Sequence, residues 1–284
     1  MIIDFHTHIF PEHIAERTVA ALAKAGGSTP YSDGTEAGLR SAMKRGGVGI
    51  SVNLPVLTKP SQFEGILRFA KALNEKLPEE LNTGTHIISF AGIHPSDPDL
   101  EEHLEEVRAA GILGVKIHPD YQGTFIDDEP YIRALSIAKR LDLITVTHAG
   151  VDGAFTDCPV RCTPERTLRA LDKLGGYNKL VLAHLGGSLM AEEVISTLAG
   201  EDVYFDTAYV MPRTDKSTFS RIIEKHGEDK ILFATDSPWS DAERDIAKIK
   251  SFGLGKDAEE KIFSSNAKKL LGIAAKRQIS GKNQ

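Results

Sequence analysis

Eight short apolar runs recur along the chain, at residues 2–8, 49–54, 87–93, 114–118, 144–148, 180–184, 203–207 and 231–236. They are rich in Val, Ile and Leu with little polar alternation, the pattern of parallel strands buried on both faces. Amphipathic stretches lie between them. Phe63, Ile66, Leu67, Ala70, Leu73 and Leu77 follow helical spacing, as do Leu100, Leu104 and Val107, and Ile132, Leu135, Ile137 and Ala138. Thr163-Pro164-Glu165 reads as an N-cap, a proline at the first helical position and an early acid, opening a helix through Leu174 that ends near Gly175-Gly176. Alternating strand and helix predicts a parallel α/β sheet, and eight such units predict a single (β/α)8 barrel of the TIM type over residues 1–275. An open doubly wound sheet also alternates. The chain has no early G-x-G-x-x-G and no P-loop, and Gly46-Gly47-Val48-Gly49 precedes a strand, the wrong side for cradling phosphate. Residues 276–284 are polar and read as a frayed tail.

The bulk properties exclude several classes. The 284 residues fit one barrel, and 41% hydrophobic content fills its core. A formal net charge of −6 with mixed signs gives no footprint for nucleic acid or an anionic membrane. No apolar stretch approaches the roughly 20 residues of a bilayer span. No basic leader with a small-residue cleavage site opens the chain, so a signal peptide is not expected. Two cysteines, Cys158 and Cys162, are too few for a disulfide framework and fit free thiols in a reducing cytoplasm.

The runs end in chemistry. The first ends Asp4-Phe5-His6-Thr7-His8. Alternation in a strand predicts that Asp4, His6 and His8 share a face. Two imidazoles one pleat apart can reach one metal ion, and imidazole suits zinc, iron and nickel. His94 closes the third run, Lys116 and His118 end the fourth on one face, His148 the fifth, His184 the sixth and Asp206 the seventh; Asp236 ends the eighth. In a barrel these ends form one mouth, where active sites are built. A lone histidine there is ordinarily a structural, hydrogen-bonded residue. A ring of titratable groups needs a compensating cation or solvent, because unpaired burial is costly.

In order along the chain, Asp-x-His-x-His, His-Ala-Gly, Ala-His-Leu-Gly-Gly and Thr-Asp-x-Pro resemble the amidohydrolase superfamily, and within it the amidohydrolase 2 group typified by aminocarboxymuconate-semialdehyde decarboxylase. The resemblance extends from His6 to about Leu271. It implies a barrel binding one or two divalent metals, zinc first, with manganese or iron as the other candidates, and one ion rather than two. It implies His6, His8, His148 and Asp236 as metal ligands. His184 is implied to act on the substrate or the activated water in one-metal relatives, or to hold a second ion in two-metal relatives. Lys116 has three readings: a carboxylated bridge between two ions, an ammonium that anchors a substrate carboxylate, or an ion pair with a strand-end acid. His118 is the alternative anchor, or with Lys116 and His184 a residue of a second metal.

Such a site supports a hydrolase acting on an amide, ester or lactone. A bound divalent ion lowers the pKa of its water to about 7. Asp236 binds through one oxygen and accepts the water proton through the other, while His184 moves a proton or donates to an oxyanion. The same apparatus serves double-bond hydration and non-oxidative decarboxylation. Loops after the runs offer Arg161, Arg213, Lys59 and Trp239, a set suited to a small carboxylated organic molecule, since arginine forks onto carboxylates. Cations on loops are about as often simply solvated. C-x3-C without a second pair does not make Cys158 and Cys162 zinc ligands. Two further readings compete. A TatD-like nuclease shares Gly-x-His-Pro at the third strand, here Gly92-Ile93-His94-Pro95, but has a glutamate where this chain has Lys116 or His118. A catalytically silent metal-binding barrel is the other. No nucleic-acid or membrane partner is expected; related barrels are often dimers, and a homodimer is the corresponding expectation.

Overall fold

The computed structural model describes residues 1–81 and 83–273. The expected tail at 276–284 lies outside the described residues. Among the described residues, nine parallel strands form in chain order: β1 Ile2–Thr7, β2 Val48–Asn53, β3 His86–Ser89, β4 Ala91–Gly92, β5 Gly114–Ile117, β6 Ile144–Thr147, β7 Leu180–Leu182, β8 Tyr204–Asp206 and β9 Ile231–Leu232. Each pairs only with its sequence neighbours, in ladders β1-β2-β3 and β4 through β9. Hydrogen bonds at both seams join the ladders into a ring. Phe90 N donates to Asn53 O (2.9 Å) at one, and Phe5 N to Phe233 O (2.9 Å) and Asp236 N to His6 O (2.8 Å) at the other. The run at 87–93, expected as one strand, is therefore two. At Phe90 the backbone leaves its ladder with β2, and Ala91 and Gly92 pair with Val115 and Lys116 of β5.

Two buried clusters show which side chains face inward. One is built almost wholly from strands, including Ile3, Phe5, Ile50, Val52, Phe90, Val146 and Leu232, and fills the barrel. The other combines strand residues such as Val115, Ile117, Leu182 and Phe233 with helix residues such as Leu67, Leu104, Leu135 and Phe219. Strand residues alternate between the two, as pleating requires. On β5, Val115 and Ile117 face the helices, so Lys116 and His118 face the interior together, as expected. On β6, Ile144 and Val146 face inward and bring His148 with them.

β1 departs from this rule. Asp4 pairs with Ser51 and Thr7 with Asn53, three steps on β1 against two on β2. That bulge breaks the expected alternation. Ile3 and Phe5 face the interior, and so does His6, directly after Phe5. Asp4 faces out toward the helix layer, in a small cavity with Leu39, Met43 and Val48. The expectation that Asp4 shares the face of His6 and His8 is thus corrected, because a bulge re-aims a side chain at the price of one pleat. Asp4 instead accepts from Thr235 N (3.0 Å) and Thr235 Oγ1 (2.6 Å), fixing the segment that carries Asp236.

Surrounding helices form where the pattern places them, at Phe63–Asn74, Leu100–Ala109, Glu129–Arg140 and Pro164–Leu174. Thr163 Oγ1 accepts from Arg166 N (3.2 Å), the expected N-cap, and Gly175 closes the last of these helices at φ 60°. Among the described residues no helix is long and apolar enough to cross a membrane. Both cysteines are free thiols, Cys158 exposed and Cys162 buried.

Candidate metal centre

At the barrel mouth, β1 and the turn after β9 bring His6, His8 and Asp236 together, with one donor atom from each within 4.8 Å of the others. His6 Nε2 and His8 Nε2 lie 3.2 Å apart, and Asp236 Oδ1 lies 3.4 Å from the first and 3.0 Å from the second. Asp236 reaches this point from a left-handed residue (φ 67°), an uncommon conformation for an L side chain and one found at functional turns.

The partners behind the rings set their tautomers. His8 Nδ1 lies 2.8 Å from the Leu54 carbonyl, which only accepts, so Nδ1 carries the proton. His6 Nδ1 lies 2.8 Å from Asp206 Oδ2. Asp206 Oδ1 is occupied by the backbone N–H groups of His184 (2.9 Å) and Ala208 (3.1 Å), so the buried carboxylate is held as an acceptor for His6. Both Nε2 atoms are then lone pairs pointing at each other and at a carboxylate oxygen. Burial and the neighbouring Lys116 hold the His6 imidazole well below its ordinary value, in the neutral form a metal requires. Burial pushes Asp236 up, but His6 and His8 outweigh it and the carboxyl stays below its usual range. Two imidazole lone pairs and an ionised carboxylate converging in this way fit a divalent cation.

Lys116 is fully buried and its Nζ lies 3.0 Å from His6 Nε2. Burial lowers it to about 8. Among the described residues no carboxylate oxygen comes within 4.0 Å of Nζ, so the strand-end ion pair is not made. His184 stands between β7 and β8, its Nδ1 2.9 Å from the Ala208 carbonyl and its Nε2 3.0 Å from His148 Nδ1. His148 groups with His118 and Asp152. Gly150, at φ 81°, lets the loop after β6 bridge to Ser188, where a Cβ would run into the Ser188 backbone; this ties the His148 and His184 loops together.

Comparison with known proteins decides the lineage. The model of the amidohydrolase family (Amidohydro_2) matches residues 3–273. The chain belongs to the amidohydrolase family. No functionally curated protein matches it. Among solved structures it is similar to 2,6-dihydroxybenzoate decarboxylase from Rhizobium, at 17% identity and TM-score 0.67, covering 95% of this chain and 98% of that one. It is similar to 5-carboxyvanillate decarboxylase from Novosphingobium aromaticivorans complexed with manganese, at 14% identity and TM-score 0.70, covering 96% of each chain. It also resembles a probable 2-pyrone-4,6-dicarboxylic acid hydrolase from Acinetobacter baumannii, at 16% identity and TM-score 0.66, covering 95% and 99%. At these identities the likeness is one of fold, and that fold is the TIM-type barrel of the amidohydrolases.

The remaining expected residues of this amidohydrolase divide. Arg161 lies at the mouth, its N and Nη1 3.2 and 3.5 Å from Asp120 Oδ1. Arg213 is exposed on the turn Met211–Arg213 with its guanidinium 4.7 Å from the Tyr209 ring. Trp239 follows the cis Ser237–Pro238 bond and is half-buried, its N donating to Asp236 O (2.8 Å). His94 accepts from Ser96 N (3.2 Å) and belongs to neither ligand group. Sequence reasoning missed the roles of Asp206, Asp120 and Asp152. For the last two a signal existed: His118-Pro119-Asp120 and His148-Ala149-Gly150-Val151-Asp152 each follow a strand-end histidine with an acid.

Proposed function

We propose that this amidohydrolase is a metal-dependent hydrolase of a small carboxylated organic molecule, acting on an amide, ester or lactone. The observation that carries the reading is the convergence of the His6 and His8 Nε2 lone pairs with Asp236 Oδ1. A divalent cation held by these residues supplies a polarised oxygen and a water that ionises near neutral pH. Zinc suits the donors, and manganese is named in a similar structure. The further chemistry belongs to the chain. Asp236 meets both imidazoles through Oδ1, so its other oxygen is placed to take a proton from the attacking water. His184, with its Nδ1 proton given to the Ala208 carbonyl, takes or gives a proton at Nε2, and His148 Nδ1 is its relay partner at 3.0 Å. Lys116, Arg161, Arg213 and Trp239 are the candidates for holding the substrate, the cations for its carboxylate and the indole for its apolar body.

A second reading, non-oxidative decarboxylation, draws on the decarboxylases among the similar structures. One experiment separates the readings. The protein is assayed before and after chelation against a panel of lactones, amides and aromatic carboxylates, with product acids and released carbon dioxide measured separately. Turnover that falls on chelation and returns with zinc or manganese supports the metal-dependent reading, and the product names the reaction. Turnover unaffected by chelation refutes it.

A further inference from the structure

A carboxylate faces the His148 ring from the neighbouring strand. Asp120 belongs to the short helix Pro119–Gln122 that follows β5. Its Oδ2 lies 4.0 Å from His148 Nε2. Both atoms are buried, and neither has a hydrogen-bond partner. The other ring nitrogen, Nδ1, lies 3.0 Å from His184 Nε2. His184 in turn stands beside His6, their ring centroids 5.7 Å apart. His148 therefore turns one nitrogen to the histidines of the mouth and the other to Asp120.

The single proton of a neutral imidazole serves only one of these neighbours. His184 gives its Nδ1 proton to the Ala208 carbonyl, so its Nε2 is a lone pair. A proton on His148 Nδ1 bonds that lone pair but leaves His148 Nε2 and Asp120 Oδ2 as two buried acceptors face to face, which is costly. A proton on Nε2 gives Asp120 its donor once the pair closes by about 1 Å. The lone pairs of His148 Nδ1 and His184 Nε2 then converge at 3.0 Å, as those of His6 and His8 do at 3.2 Å. A cation at the mouth relieves that convergence and so favours the second arrangement. Asp120 is held ready for it. Its Oδ1 accepts from Arg161 N (3.2 Å) and Nη1 (3.5 Å). Gln122 clamps the same turn, its Nε2 donating to the Leu57 (2.9 Å) and Ile93 (2.6 Å) carbonyls and its Oε1 accepting from His118 N (3.1 Å). Oδ2 is left facing His148.

We propose that Asp120, braced by Arg161, is a positioning residue for His148: it takes the Nε2 proton and so presents the Nδ1 lone pair to the mouth. It does for His148 what Asp206 does for His6, and buried carboxylates behind ligating histidines characteristically act in this way. The proposal rests on the reading of the mouth as a metal centre with His148 among its ligands. Asp120 acts through the tautomer of His148.

The test reads tautomer and affinity together. Protein stripped by chelation and desalted is titrated with Zn²⁺ by calorimetry. The zinc-loaded protein, isotope-labelled at its histidine nitrogens, is followed by nitrogen NMR, with His148 assigned against His148→Asn. The wild type is expected to bind zinc with the His148 proton at Nε2. In Asp120→Asn the amide oxygen keeps the Arg161 bonds and the NH2 turns toward His148, which draws the proton to Nδ1, and zinc affinity should fall about 10–100-fold. Asp120→Ala removes the acceptor without adding a donor; it should weaken zinc less, and it stands in if Asp120→Asn does not fold, as judged by circular dichroism. Unchanged zinc affinity and an unchanged His148 tautomer in the folded Asp120 variants overturn the proposal, whatever happens to the melting temperature, since a merely structural carboxylate moves only the latter. Zinc bound by the wild type with the His148 proton at Nδ1 overturns it and leaves the metal centre standing. No zinc bound by the wild type overturns the metal centre with it.

Discussion

The β1–β9 side of the mouth and its β5–β6 side use the same residue types and prepare them differently. On the β1–β9 side both histidine Nδ1 protons have dedicated acceptors, Asp206 and the Leu54 carbonyl, so both Nε2 atoms are free to coordinate. On the β5–β6 side the His118 Nε2 proton is engaged by Asp152 and only His148 presents a bare nitrogen. The difference teaches that a histidine's readiness for metal is set by what stands behind its ring rather than by the ring itself.

Substitutions sharpen this contrast. The largest effect is expected from His8→Asn, which removes a ligand-type donor from the better prepared set. Turnover should fall by at least about 100-fold with loss of one bound ion, followed by steady-state assay and metal analysis. Asp206→Asn comes next. Asp206 Oδ1 accepts two backbone N–H groups, so the amide turns its NH2 toward His6 and forces the His6 proton onto Nε2. Metal affinity should weaken about 10–100-fold, with a change of His6 tautomer seen by nitrogen NMR of the chelated protein. An unchanged tautomer would break the argument from partners. Asp152→Asn, which removes the carboxylate partner of His118 Nε2, should lower turnover less than either of these, because its side is not where Asp236 acts.

The smallest effect lies behind β1. Burial pushes Asp245 up to about 7, with Ser240 opposing, and Asp4 likewise sits at about 7 through burial against its Thr235 bonds. A raised carboxyl binds its proton more tightly folded than unfolded. Its stabilising contribution is complete below about pH 4 and is lost as pH rises to about 7. Asp245→Asn should therefore flatten thermal stability across that window and raise it by about 2–4 kcal/mol near pH 8, with metal occupancy unchanged. Melting curves across pH measure it, and an unaltered pH slope would show that this side is not electrostatically loaded.

Much of this was legible in the residue order. The apolar runs, their helical partners, the Thr163 cap and the placing of Lys116, His118, His148, His184 and Asp236 at one mouth all follow from local periodicity and strand alternation. The split at Phe90 was not legible, since changing ladder partners leaves the apolar pattern intact. Nor was the outward turn of Asp4. Alternation predicts it beside His6, and only the mismatch of three steps on β1 against two on β2 reverses it.

The sequence by itself determined the parallel (β/α) architecture and which side chains crown its strands, because hydrophobic periodicity and β-branched runs are local properties that survive any context. The tertiary structure alone decided which of those side chains meet. Asp206 orients His6 across 200 residues, Lys116 abuts His6 across 110, and Asp120 faces His148 from the neighbouring strand. Such pairings depend on the curvature of the closed ring, on one bulge and on the direction of buried hydrogen bonds, and the spacing of residues along the chain encodes none of these.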